Sequence, residues 1–178
     1  MTSIKLNKKE AKILNLNLKQ GCLIKNNNLY GLKEAALIVL PVNYTGEPVS
    51  IHFESKLEIA KDNYIVVDEK NKIVKINEKE VTSNWGEKVN FPDVDYLFKS
   101  ILLNKNRRKR TSNKLVAIDF ALLRHITSII GNEIVVEIGD RLDPIFITKN
   151  TKSFKAGSFT TPFNPKVHRQ CLLMPMRQ

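Results

Sequence analysis

Lys105, Arg107, Arg108, Lys109, Arg110 and Lys114 crowd one polar stretch, and a second group, Lys149, Lys152, Lys155, Lys166 and Arg169, precedes the C-terminal apolar residues. Closely spaced guanidinium and ammonium groups are suited to neutralising phosphates and releasing the counterions condensed on nucleic acid. The plainer reading is a solvated loop, and neither run interleaves aromatic residues as base-stacking surfaces do. The last residues carry a different feature, an apolar strand from Cys171 that runs straight into Met174-Pro175-Met176-Arg177. Pro175 cannot donate to a ladder, so both methionines must lie against a surface rather than continue a sheet. Their unbranched, polarizable side chains suit a surface that repacks around several partners, whereas the plainer reading is a docked strand with a frayed tip.

Covalent or metal chemistry finds little footing. His52, His125 and His168 sit in separate elements, with no second ligand at metal spacing and no Ser or Cys nucleophile motif beside them. Gly31 and the other glycines form neither GxGxxG nor GxxxxGK, the patterns that cradle phosphates. The pairs Glu78 with Glu80 and Asp93 with Asp95 lie at turns and helix starts, where capping accounts for them. Neither catalysis nor a cofactor is expected.

Composition sets the remaining bounds. The 178 residues carry 29 Lys and Arg against 18 Asp and Glu, a net charge of +11, which favours nucleic acid or another polyanion as partner. The 42% hydrophobic content falls in short runs, none approaching the ~18 residues of a membrane span. Met1-Thr2-Ser3 leads into polar residues rather than a signal sequence, so a cytoplasmic location is expected. Cys22 and Cys171 lie far apart in apolar surroundings and read as reduced core residues.

The elements that must position these groups recur. Ile4 to Leu6 reads as a strand; Asn7 then caps a helix running to Lys19, with Glu10 at the third position and Ala11, Leu14 and Leu18 on one face, ended by Gly21. The alternation of Leu14, Leu16 and Leu18 fits a strand as well. Strands come next at Cys22 to Lys25, Leu29 to Leu32 and Ala35 to Val42. The order then repeats: a strand at Val49 to Phe53, a short helix at Ser55 to Lys61, and strands at Tyr64 to Asp68, Lys72 to Asn77 and Glu80 to Ser83. Asp93 caps a helix bearing Val94, Leu97, Phe98, Ile101 and Leu102. A third unit opens at Leu115 to Ile118, and Asp119 caps a helix with Leu122, Leu123, Ile126 and Ile130 that ends at Gly131. Strands at Glu133 to Ile138, Pro144 to Thr148 and Cys171 to Met174 complete it. Three βαβββ units imply an α+β architecture of antiparallel sheets with helices on one face, divided as residues 1–90 (two units) and 91–178 (the Asp93 helix, the basic loop and one unit).

This order, the terminal Leu-Met-Pro-Met-Arg, the turn Phe91-Pro92-Asp93 and the segment Val116 to Ile147, with Gly139-Asp140-Arg141-Leu142-Asp143-Pro144 opening a strand, together resemble the bacterial DNA sliding clamp, the beta subunit of the replicative polymerase. The resemblance implies a shortened, divergent member. Family clamps have three domains of two units each, and where their pocket loop reads Thr-Asp-Gly-His-Arg-Leu this chain has Leu32-Lys33-Glu34-Ala35-Ala36-Leu37. It further implies a processivity or tethering factor in DNA replication that holds duplex DNA without reading its sequence. Lys8, Lys9, Lys12, Lys99 and Arg124 on helices, and Arg107, Arg108, Lys109 and Arg110 in the basic loop, are then the phosphate contacts. Leu37, Met174, Pro175, Met176 and Arg177 are the counterpart of the family's partner-peptide pocket, which tethers DNA polymerase and other replication proteins. A closed clamp has twelve units, so this chain would need a homo-oligomer of four copies. Two alternatives stand beside it: a clamp-like adaptor or decoy, from a mobile element, that binds replication proteins or a clamp without sliding, and a plain basic module acting through Arg107 to Arg110.

Overall fold

The computed structural model describes residues 1–33, 36–96, 120–131, 134–137, 145–149 and 170–173. The sheet's first strand in sequence is β1 (Thr2–Asn7), whose Ile4 and Leu6 turn inward between exposed neighbours. Asn7 then forms the expected reciprocal cap: its Oδ1 accepts from the Lys9 and Glu10 N–H groups at 2.9 and 3.1 Å, and the Glu10 carboxylate accepts from the Asn7 N–H at 2.9 Å. The capped element is a 3-10 helix over Glu10–Asn15, not an α-helix reaching Lys19. Its buried residues explain the tighter winding. Three residues per turn stacks Ala11 with Leu14 and Ile13 with Leu16, so all four enter the core, which a single α-helical stripe would not allow. Asn17 Oδ1 then takes the Lys19 and Gln20 N–H groups, and Gly21 reverses the chain at φ +66°.

The strands β2 (Cys22–Lys25), β3 (Asn28–Lys33) and β4 (Ala36–Pro41) form a meander. Asn26 and Asn27, both at positive φ, make the two-residue turn that matches strand twist. The next stretch supplies β5 (Val49–His52), β6 (Asp62–Asp68), β7 (Ile73–Ile76) and β8 (Lys79–Trp85). Its expected helix at Ser55 to Lys61 is absent. Asn15 takes both the N–H and the carbonyl of Leu57, at 2.9 and 2.8 Å, and Asn63 does the same to Ala60, both at 3.1 Å. Backbone groups held by these side chains, one distant and one local, cannot also form a helical turn, and so short a segment cannot repay helix nucleation.

Val94–Tyr96 begins a helix, with Asp93 Oδ1 accepting from the Tyr96 N–H at 3.0 Å. Leu97, Phe98, Ile101, Leu102, the strand expected at Leu115 to Ile118 and the Asp119 cap lie outside the described residues. The later described residues contribute α1 (Phe120–Ile130), β9 (Ile134–Glu137), β10 (Ile145–Lys149) and β11 (Gln170–Leu173).

The eleven strands among the described residues join one antiparallel order, β1-β6-β7-β8-β5-β2-β3-β4-β11-β10-β9. Two exchanges organise it. β1 pairs with β6, and β5 pairs with β2, so the first and second halves of residues 1–85 each lend a strand to the other. β8 turns a corner between ladders, pairing with β7 through Lys79 to Val81 and with β5 through Thr82 to Trp85. The β4–β11 ladder then carries the sheet from the first ninety residues to β10 and β9. The 3-10 helix and α1 pack against each other over one face, where Ile13, Leu14, Ile126 and Ile129 meet Ile24, Leu29, Ile38 and Ile51 in the main core. Gly31 permits the close fit, since a Cβ there would lie 2.5 Å from Ile13 Cγ1. The opposite face of β2, β3 and β4 buries Leu23, Tyr30, Leu37 and Val39 under Val94, with Val89 and Phe91 alongside.

Candidate nucleic-acid interface and partner surface

The helical layer carries the described cations of the expected phosphate-contacting set. Lys8 and Lys9 lie in the turn that enters the 3-10 helix and Lys12 lies within it; all three are exposed. The three-residue turn dictates this, because Ala11, Ile13 and Leu14 take the inward positions and leave the lysines outside. Arg124 is exposed on α1, whose Leu122, Ile126, Ile129 and Ile130 face the core. Since α1 packs on the 3-10 helix, residues more than a hundred positions apart in the chain lie in one layer on one side of the sheet.

None of these four cations is engaged in an ion pair among the described residues, whereas Lys5 meets Asp62 at 3.2 Å, Lys25 meets Asp95 at 2.5 Å and Lys72 meets Glu47. Lys72 also stacks over Trp85, 4.8 Å from the ring centroid, so that lysine stabilises the β8 corner. Unpaired, solvated ammonium and guanidinium groups keep their capacity to exchange counterions for phosphate. Lys99, Arg107, Arg108, Lys109 and Arg110 lie outside the described residues.

Leu37, the pocket residue within the described structure, is 3% exposed. It packs in the second cluster with Leu23, Tyr30, Val39 and Val94. Register places it opposite Leu172, and Ala36 opposite Leu173, so the strand leading to the C-terminal motif ends beside the β3–β4 hairpin. Met174, Pro175, Met176 and Arg177 themselves lie outside the described residues. The second cluster was missed from sequence. Its signal was present in the uninterrupted apolar run Ala36 to Leu40, the pattern of a strand covered on both faces.

Ser50 and His52 form a pair that spacing alone did not suggest, with Oγ and Nε2 at 3.2 Å. Ser50 is fully buried and its hydroxyl also accepts the Asn90 N–H at 3.4 Å, so it ties the segment beyond β8 to β5. His52 borders a shallow cleft of about 190 Å³ with Glu54, Lys79, Glu80 and Thr82 on its walls. Among the described residues no group of three or more His, Cys, Asp or Glu is placed to hold a metal ion. Burial pushes the Cys22 thiol up to about 12, and its Sγ donates to the Ile13 carbonyl at 3.4 Å, which marks it as a packing residue. No described helix is long and apolar enough to cross a membrane.

No family model, curated protein or solved structure matches this chain.

Proposed function

We propose that the chain is a clamp-like tether that holds duplex DNA independently of sequence and presents a partner surface to replication proteins. The observation that carries the reading is the pair of strand exchanges, β1 with β6 and β5 with β2, which relates the first two units to each other while the helical layer sits on one face of the sheet. A layer of that kind bearing Lys8, Lys9, Lys12 and Arg124 offers charge to the phosphate backbone and no fixed donor pattern to base edges, as a sliding contact requires.

Duplexes of unrelated sequence should bind equally, with affinity falling steeply as salt rises. Replacing Lys8, Lys9, Lys12 and Arg124 together by alanine should lower the slope of log affinity against log salt by about 3 to 4. Fluorescence anisotropy across a salt series checks both. Strong preference for one sequence, or an unchanged slope in the fourfold variant, would overturn the reading. Loss of all binding on replacing Arg107, Arg108, Lys109 and Arg110 would favour the plain basic module instead. Retention on nicked circular DNA with loss from linear DNA separates encirclement from simple adhesion.

A second reading, an adaptor or decoy that engages a replication protein without sliding, would place that contact away from Leu37, which its own cluster encloses. That reading predicts partner capture by this chain with no affinity for nicked circles.

A further inference from the structure

The residues after β8 lie as a strap against the face of β2, β3 and β4 that turns away from the helical layer. Val94 is buried on Leu23, Tyr30, Leu37 and Val39, with Val89 and Phe91 packed beside it. Two polar contacts add to these: Lys25 Nζ meets the Asp95 carboxylate at 2.5 Å, and the Asn90 N–H reaches Ser50 Oγ at 3.4 Å. Among the described residues no backbone hydrogen bond joins residues 90–95 to a strand. A segment fixed through side chains in this way opens at a lower free energy than the ladders beneath it.

The strap leaves this face incompletely satisfied. Asn28 lies two residues before Tyr30 on β3, hence on the same face, and opposite Lys25 in the ladder. Its Oδ1 accepts from no described donor although the residue is only 2% exposed. A buried acceptor left empty favours an incoming chain that brings a donor to it. Asp95 bears on the same place, since burial and then that carboxylate push the Tyr30 hydroxyl up to about 12.

We infer that the strap is a displaceable internal ligand, and that the face beneath it takes from a partner protein a short segment with apolar side chains at the spacing of Val89, Phe91 and Val94, followed by a carboxylate for Lys25. The strap itself specifies this occupant, because it is the segment seated there and because the Lys25 ammonium selects an acidic group at its end. Lifting it frees the contacts that Val94 makes with Leu23, Tyr30, Leu37 and Val39, so the enclosure of Leu37 is conditional on the strap. The inference rests on the partner-surface half of the tether reading, which it deepens, and is independent of the phosphate-contacting cations.

A labelled peptide of residues 87–96, titrated into the full chain and read by fluorescence anisotropy, tests it. Phe91→Ser combined with Val94→Ser unseats the internal strap and should bind the peptide at least about tenfold more tightly than the unmodified chain, whose own strap competes for the face. Adding Lys25→Glu to that variant should abolish the gain, and a peptide carrying Asp95→Lys should restore it. Far-UV circular dichroism verifies folding. If the double variant is unfolded, Asp95→Lys in the full chain replaces it, since that side chain is half exposed and the change repels Lys25 while leaving the apolar contacts in place. Equal binding by the folded variant and the unmodified chain, or indifference to the charge at position 25, overturns the inference. DNA binding without peptide binding strikes it alone, and peptide binding without DNA binding strikes the DNA-holding half of the tether reading alone.

Discussion

Asparagine does much of the local work at the scale of single residues. Asn15 closes two hydrogen bonds on Leu57, and the fully buried Asn63 closes two on Ala60 while its Oδ1 also accepts from Asn77 Nδ2 at 3.0 Å. Replacing Asn15 by alanine strands a part-buried donor and acceptor and should destabilise the protein by about 2 kcal/mol, measurable as a lower urea midpoint at unchanged slope. An unaltered midpoint would mean that water replaces the side chain. The Asn7 and Glu10 cap was legible because both partners fall within one turn of chain. The Asn15 and Leu57 pair was not, since nothing local announces a partner 42 residues away. The same blindness produced the expected helix at Ser55 to Lys61, where a local pattern lost to a distant hydrogen-bonding side chain.

Strand identities were largely readable from period-two alternation and turn residues, and the described strands from β1 to β11 fall close to their expected positions. Helix type was harder. Inward residues at 11, 13, 14 and 16 satisfy neither a strand nor one α-helical stripe, and only the three-residue turn reconciles them. Because that 3-10 helix lies directly on Gly31, Gly31→Ala should force Ile13 and Leu16 outward and cost about 2 kcal/mol. Thermal unfolding reads the loss, and Gly31→Ala combined with Ile13→Ala, which removes Cγ1, should cost less than the sum of the two single changes if the clash with Ile13 is the cause. Full additivity of the two changes would place the strain elsewhere.

Neighbour relations across the whole molecule could not be read from one sequence, because alternation fixes which face a residue occupies and not which strand lies beside it. The β1–β6, β5–β2 and β4–β11 ladders are therefore findings of the structure. Burial also gives the molecule a shared response to alkali. The Cys22 thiol is pushed up to about 12 by burial, the Tyr30 hydroxyl up to about 12 by burial and then by Asp95, and Tyr44 is raised by burial and by its bond to Glu69. Each raised group keeps its proton in the folded state at a pH where the unfolded chain has lost it. Stability should hold below pH 9.0 and fall from there toward about 12. Cys22→Ala should make that fall shallower by up to about 1.4 kcal/mol per pH unit, as urea denaturation at successive pH values would reveal; a parallel curve would count against Cys22.

The β4–β11 ladder has a practical corollary for anyone dissecting the chain. Cutting after Tyr96 would leave Ala36 to Leu40 as a bare apolar rim, a template for fibril growth, and the shorter piece would lose β4, the strand that anchors β11. Truncations should therefore precipitate where the intact polypeptide stays dissolved.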